Sequence, residues 1–200
     1  MHMLPALMLV LLCTLGIRGT LAAQTGPSPQ ELGASVLPLP EILRAGAGVR
    51  VATSSGVSIL RPSTNGLMCT ADKPGDDLFD VRCYHVEWLA VMDYARLLGQ
   101  QGVRDSVLDA RLKDAERQGA IRFPDSPTAG YRMLGPISGF DATTTGVGEA
   151  IDKWQSVHFP FHTAAELGLP TTPDGVMPYV MGSGTWWSHV MIVHRPESDP

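Results

Sequence analysis

The pattern of apolar and polar positions predicts four short strands in the first half of the chain, with turn residues between them. These strands span residues 49–53, 57–61, 67–71 and 79–84. In the fourth strand the apolar residues Phe79, Val81 and Cys83 occupy alternate positions, so they share one face. Because the runs follow one another through short turns, such as Asn65-Gly66 between the second and third, we expect an antiparallel meander.

Two helices are predicted after these strands. Residues 86–101 are nearly all apolar, and their polar members fall on one narrow stripe at the helical period, which is typical of a largely buried helix. Residues 106–118 mix apolar and charged positions, and Gly119 follows where a C-terminal cap belongs. Gly102 gives a short link between the two segments, which favours an antiparallel helical hairpin.

The second half of the chain returns to strand and loop patterns. The predicted strand segments are residues 131–134, 151–161 and 178–194, separated by turns rich in Pro and Gly. Strands, then helices, then strands, without β-α-β alternation, indicate an α+β protein. We therefore expect a single domain in which an antiparallel or mixed β-sheet packs against a two-helix hairpin.

The N-terminal segment has the pattern of a secretory signal peptide. Residues 4–15 form an apolar run of about a dozen residues, well short of the roughly 20 needed to cross a bilayer as a helix. We expect residues 1–23 to be removed by cleavage after Ala22 or Ala23, leaving a secreted or periplasmic protein without a stable membrane anchor. Residues 24–40 are rich in Pro, Gly, Ser and Gln without periodicity, and we interpret them as a flexible leader.

The length and net charge of the chain limit the number of domains and the classes of partner that we expect. Without residues 1–23, 177 of the 200 residues remain, enough for one ordinary domain, expected at residues 41–196 with a tail at 197–200. The net charge of −5 becomes −6 once Arg18 is removed. A general binder of nucleic acid or anionic membranes needs a basic surface, so we expect neither partner.

Two cysteines, Cys69 and Cys83, remain beyond the signal peptide. In an oxidising compartment such a pair is most simply a disulfide, and the alternation around Cys83 would point it inward toward the strand of Cys69. The alternative, a redox pair, normally has C-x-x-C spacing, which the thirteen intervening residues do not match.

The common enzyme signatures G-x-S-x-G, G-x-x-x-x-G-K, H-E-x-x-H and G-x-G-x-x-G do not occur in the chain. The leading hypothesis is therefore a non-enzymatic binding or structural domain that takes a small molecule, a glycan or a protein surface, with no cofactor. Trp186 and Trp187 follow a Gly-rich lead-in and are the candidate ligand-binding residues. They form either a stacking platform or core packing with one exposed ring, because consecutive residues of a strand point in opposite directions.

A hydrolase-like enzyme is the alternative hypothesis. His85 opens the buried helical segment, and His189 lies within an apolar run, so both imidazoles are expected to be enclosed. Buried neutral histidines bonded to the backbone are one interpretation. In the other, both converge in a cleft with Glu87 or Asp141 to form a general acid–base site.

A calcium site is a further candidate, because four carboxylates lie in the loop that the disulfide would close. They are Asp72, Asp76, Asp77 and Asp80. Calcium prefers six to eight oxygen ligands, but the spacing does not follow the known loop pattern and Lys73 interrupts it. A solvated acidic turn is the competing interpretation, and we assign no metal.

Four short segments resemble a group of uncharacterised exported bacterial proteins. They are residues 65–69 (NGLMC), 83–85 (CYH), 138–141 (SGFD) and 182–192 (GSGTWWSHVMI). The similarity covers most of residues 40–194. It implies a bacterial, periplasmic or secreted setting and a single domain, and because the group has no assigned activity it implies no catalytic residue.

Overall fold

An eight-stranded mixed sheet is the centre of the protein in the computed structural model, which describes residues 28–53, 56–173 and 178–193. Its strands are β1 (Gly48–Thr53), β2 (Gly56–Arg61), β3 (Leu67–Thr70), β4 (Leu78–His85), β5 (Thr128–Pro136), β8 (Asp152–His158), β9 (Tyr179–Met181) and β10 (His189–Val193). Their order across the sheet is β2-β1-β3-β4-β5-β8-β10-β9. Between β5 and β8 the chain forms a separate two-stranded sheet of β6 (Phe140–Asp141) and β7 (Gly146–Val147).

The predicted α+β class and mixed sheet are confirmed, but the antiparallel meander is wrong. Strand β1 pairs in parallel with β3, and β2 lies outside β1 at the edge of the sheet. The parallel register sets Val49 beside Cys69, and both side chains are fully buried. Strand β2 exposes Val57 and Ile59, so an edge position costs it little.

Five helices occur in the described residues: α1 (Pro29–Ser35), α2 (Glu41–Arg44), α3 (Trp88–Gln100), α4 (Asp105–Arg117) and α5 (Ala164–Leu167). Helix α3 buries Trp88, Val91, Ala95 and Leu98, at the three- and four-residue spacing of one helical face. Helix α4 packs against it, and the chain then turns through Gly119 at a φ of 72°. No helix among the described residues is both long and apolar enough to cross a bilayer.

The interpretation of residues 24–40 as a flexible leader is wrong from Ser28 onward. The Ser28 hydroxyl accepts from the backbone N–H of Glu31, and the Glu31 carboxylate accepts from that of Ser28, so a reciprocal capping box begins α1. Val36 and Leu39, just beyond the helix, are buried in the core. Residues 24–27, the signal peptide at 1–23 and the tail at 197–200 lie outside the described residues.

Helix α1 and the turn after it cover one face of the sheet. There Val36 and Leu39 pack with Cys69 and Cys83, and the two cysteines form a disulfide between directly paired residues of β3 and β4. The predicted inward-facing cross-link is thus confirmed. The opposite face, which carries Tyr84, is only partly covered by α3, and a cleft remains there.

Candidate ligand-binding cleft

The cleft lies between the uncovered sheet face, helix α3 and the turn at residues 182–188, and its volume is about 980 Å³. Small-molecule sites in proteins usually measure roughly 300–1,000 Å³, so this cleft is large enough for an extended ligand. Its lining changes along its length, from arginines and carboxylates at one end to aromatic rings and methionines at the other.

Strand register brings three rows of side chains onto the floor, because residues directly opposite in neighbouring strands share a face. The first row contains Arg82, Arg132 and Trp154; the second Tyr84, Gly130, Ser156, Met191 and Tyr179; the third Thr128, His158, His189 and Met181. Four residues of β8 separate the first row from the third, a distance of about 13 Å along a strand. We call the first row the arginine end and the third row, with the Trp pair, the aromatic end.

Trp187 is the centre of the aromatic end. Its ring centroid lies 4.5 Å from that of His158, 5.6 Å from Tyr84 and 5.5 Å from Trp88. The Trp186 ring lies 5.0 Å away at an interplanar angle of 48°. Both indoles are partly exposed and line the cleft.

The expectation that Trp186 and Trp187 lie on a strand and point in opposite directions is wrong. They occupy a turn before β10, where both rings pack against Trp88. The backbone N–H of Trp186 donates to Asp109 of α4 at 2.8 Å, which fastens this turn to the helical hairpin. A turn has no alternation of side-chain direction, so both rings reach the same cluster.

His158 and His189 stack in the same region, with ring centroids 4.9 Å apart. Burial, together with the neighbouring His189, lowers the pKa of His158 to about 3, and burial also lowers the pKa of His189. The Nε2 atom of His158 lies 3.1 Å from the hydroxyl oxygen of Ser156. Gly130 leaves room for this contact, since a Cβ there would come within 2.7 Å of Ser156 Oγ and 2.8 Å of His158 Nε2.

At the arginine end, Asp80 accepts hydrogen bonds from two guanidinium groups. Arg132 donates through Nε and Nη2, each at 2.9 Å, and Arg82 donates through the same two kinds of atom. Burial raises the pKa of Asp80, but the hydrogen bonds and charges of Arg132 and Arg82 outweigh it and lower the pKa to about 2. The Arg132 guanidinium also lies 5.2 Å above the ring of Trp154.

An ion pair between a buried arginine and a partly exposed aspartate connects the floor of the cleft to helix α3. Arg50 of β1 donates to Asp93 at 2.9 Å and to the Thr70 hydroxyl at 3.1 Å, and its side chain is only 7% exposed. The pair ties α3 to β1, because the buried Arg50 guanidinium would be costly without its partner.

His85 and His189 do not converge. Tyr84 points into the cleft, so His85, the next residue of β4, belongs to the other face and lines a second cavity with Glu87, 3.5 Å away. Asp141 lies in the β6–β7 hairpin, where its carboxylate accepts from the Thr143 backbone and the Thr144 hydroxyl. The predicted meeting of these residues in one acid–base site is therefore wrong.

The four loop carboxylates do not form a cation site. Asp80 binds the two arginines, Asp72 accepts from the backbone N–H of Asp80 at 2.8 Å, and Asp76 accepts from that of Leu78. Asp77 belongs to no group of metal ligands, because the described residues contain no cluster of three or more His, Cys, Asp or Glu suited to a metal. Asp72, Asp76 and Asp80 are therefore partners of backbone N–H groups and arginines within the protein.

Sequence reasoning missed Ser156, His158, Arg82 and Arg132, which the structure places in the cleft. The signal was available, because Trp154, Ser156 and His158 alternate along one strand and must share a face.

The chain matches no protein-family model, no curated protein and no solved structure.

Proposed function

We propose that the protein is an exported binding domain whose cleft holds a small molecule with an apolar or aromatic body. The observation that carries this proposal is the aromatic end: two adjacent indoles, both partly exposed, wall a cleft of about 980 Å³. Exposed aromatic surface in a concave site provides contact area at low entropic cost, which is the usual design of a ligand site.

The arrangement of the rings favours a small molecule over a glycan or a protein surface. Trp186 and Trp187 are tilted by 48° to each other, and Trp187 is packed against Tyr84 and His158. A sugar-stacking platform or a protein-docking surface needs a flat, outward-facing ring surface. These rings instead form the wall of a cavity, together with Met181 and Met191.

Export is part of the proposal. The Cys69–Cys83 disulfide fits an oxidising compartment, in agreement with the signal-peptide pattern of residues 1–23. The similarity to exported bacterial proteins adds the periplasm or the extracellular space of a bacterium as the setting.

The hydrolase alternative has less support. His85 and His189 lie in separate cavities, and the one serine–histidine contact in the cleft, Ser156 with His158, lacks a third group. The Nδ1 atom of His158 is buried with no hydrogen-bond partner among the described residues, and burial holds the imidazole neutral. A general base must be stabilised once it takes a proton, and no carboxylate in the part of the chain that the structure describes bonds to His158.

The proposal is tested by titrating the purified mature protein with N-phenyl-1-naphthylamine, a neutral dye whose fluorescence rises in apolar sites. We expect saturable binding at one site, weakened about tenfold or more by Trp187→Ala. Ile42→Ala is the control, because Ile42 is 89% exposed on α2 and lies outside the cleft. Unsaturable binding, or equal affinity in wild type and Trp187→Ala, would refute the proposal.

A further inference from the structure

We infer that the ligand of this cleft carries an oxyanion group, a carboxylate, sulfonate or phosphate, which Arg82 and Arg132 bind; the inference rests on the proposed function. Arg82 and Arg132 are directly paired across β4 and β5, and both line the cleft. Their side chains are 45% and 31% exposed, so a ligand can reach both guanidinium groups.

Hydrogen-bond capacity remains on both arginines after they have bound Asp80. A guanidinium has five N–H donors, and each arginine uses only its Nε and Nη2 atoms on the Asp80 carboxylate. Among the described residues no other acceptor binds either arginine, so each Nη1 group and one further N–H remain for a ligand. Two positive charges against one negative charge leave an excess of one positive charge, on a chain whose net charge is −5.

The arginines are also held in position before any ligand arrives. Asp80 accepts from Arg132 in a two-pronged arrangement, and the guanidinium lies over the Trp154 ring. Pre-ordered side chains lose less conformational entropy on binding, which makes this pair a stronger anion site than two free surface arginines.

Besides Asp80, the acids Asp72, Asp76 and Asp93 line the cleft, and Asp76 and Asp93 are paired with Lys73 and Arg50. Asp72 accepts the backbone N–H of Asp80 at 2.8 Å. Burial raises the pKa of Asp72, and the carboxylates of Asp76 and Asp80 add to that rise against the hydrogen bonds. The Asp72 carboxylate is thus partly occupied by the backbone, while Arg82 and Arg132 keep donors for a ligand in the cleft that they line.

The planar guanidinium groups match the geometry of oxyanions. The length of the cleft floor limits the length of the ligand. The arginine row and the row of His158 and His189 are about 13 Å apart. A ligand that fills the cleft therefore has its anionic group at one end and its apolar body at the other.

A matched pair of dyes separates this inference from the proposed function. N-phenyl-1-naphthylamine is neutral, whereas 8-anilinonaphthalene-1-sulfonate has the same ring system with one added sulfonate. We expect the sulfonate dye to bind wild-type protein about tenfold tighter, since charge-assisted hydrogen bonds are the stronger kind. The double variant Arg82→Gln/Arg132→Gln should lose this advantage and bind the two dyes with equal affinity.

The control variant is Arg122→Gln, because Arg122 is an exposed arginine paired with Asp125 outside the cleft. It should retain the preference for the sulfonate dye. Equal affinity of both dyes for wild type would overturn the inference and leave the proposed function intact. If neither dye bound, both the inference and the proposed function would be refuted. A preference that survives in the double variant would also overturn it.

A measurement on wild-type protein covers the case in which the double variant does not fold. Sodium sulfate should displace the sulfonate dye and leave the neutral dye bound, when compared with sodium chloride at the same ionic strength. Equal effects of the two salts on the sulfonate dye would count against a defined oxyanion site. The variant Arg132→Lys provides a second test. It keeps the positive charge but loses the planar guanidinium, so it should weaken binding of the sulfonate dye several-fold.

Discussion

The Nδ1 atom of His189 lies 2.6 Å from the carbonyl oxygen of Trp187. A carbonyl oxygen only accepts, so Nδ1 carries the proton and Nε2 remains an acceptor. Burial lowers the pKa of His189 despite this hydrogen bond, and lowers that of the stacked His158 to about 3. Both rings are therefore neutral near pH 7, and the aromatic end offers an uncharged surface with a polar edge.

The neutral histidines make stability depend on pH. The pKa of His158 is about 3 in the folded protein against an ordinary value of 6.5, so the unfolded chain binds more protons between these values. Stability should therefore fall as the pH drops below about 6.5. We expect His158 to account for a loss of about 2 kcal/mol between pH 7.5 and pH 5, measured by urea unfolding at both values.

The variant His158→Gln removes the contribution of His158 and should reduce the pH dependence, and the part that remains comes from His189, whose pKa burial also lowers. Asp80, with a pKa of about 2, does not interfere because its contribution is lost only below about pH 4. Asp72 has a raised pKa and acts with the opposite sign, equally in both proteins. Stability that is constant from pH 7.5 to pH 5 in wild type would show that His158 is not held neutral by burial.

Gly130 is expected to be intolerant of any side chain. A Cβ would meet Ser156, His158 and the Tyr84 ring at 2.7, 2.8 and 3.0 Å. Gly130→Ala should cost about 1–3 kcal/mol, as overpacking usually does, and weaken dye binding by shifting the floor of the cleft. Thermal unfolding and the dye titration measure the two effects.

The matched control is Gly148→Ala. A Cβ at Gly148 would lie no closer than 3.6 Å to a neighbouring atom, so this variant should stay within about 0.5 kcal/mol of wild type. If both alanine variants behaved alike, the packing around Ser156 and His158 would not be as tight as described.

The disulfide should contribute substantially to stability. Cys69 and Cys83 are 14 residues apart, and closing a loop of that length is worth about 3 kcal/mol in the chain-entropy model. The double variant Cys69→Ala/Cys83→Ala should lose about that much in guanidinium unfolding, and wild type under a reductant should match it. A variant as stable as oxidised wild type would rule out a stabilising cross-link.

Local patterns explain what the sequence could predict. The strands around residues 49–53, 57–61 and 79–84 were visible because alternation along one strand reports its buried face. The same alternation predicted that Cys83 points inward, and the pairing of β3 with β4 sets it directly opposite Cys69. The parallel pairing of β1 with β3 was missed, because strand order depends on contacts between distant segments.

Helix α1 and the cleft show the same limit. The segment of α1 has a Pro- and Gly-rich composition without periodicity, which hides the capping box at Ser28 and Glu31. Trp186 and Trp187 were predicted in the site, but the turn that brings their rings together has no periodic signal. The pairing of Asp80 with Arg132, 52 residues away, arises only once β4 and β5 are adjacent.

The most direct test of the binding cleft is to map where a ligand is attached. A diazirine derivative of N-phenyl-1-naphthylamine, photoactivated on the protein and followed by peptide mass spectrometry, should label Trp187, Met181 and Met191 at the aromatic end. Trp187→Ala should reduce the labelling of both methionines. Labelling mainly at exposed apolar residues outside the cleft, such as Ile42 and Val107, would contradict the account.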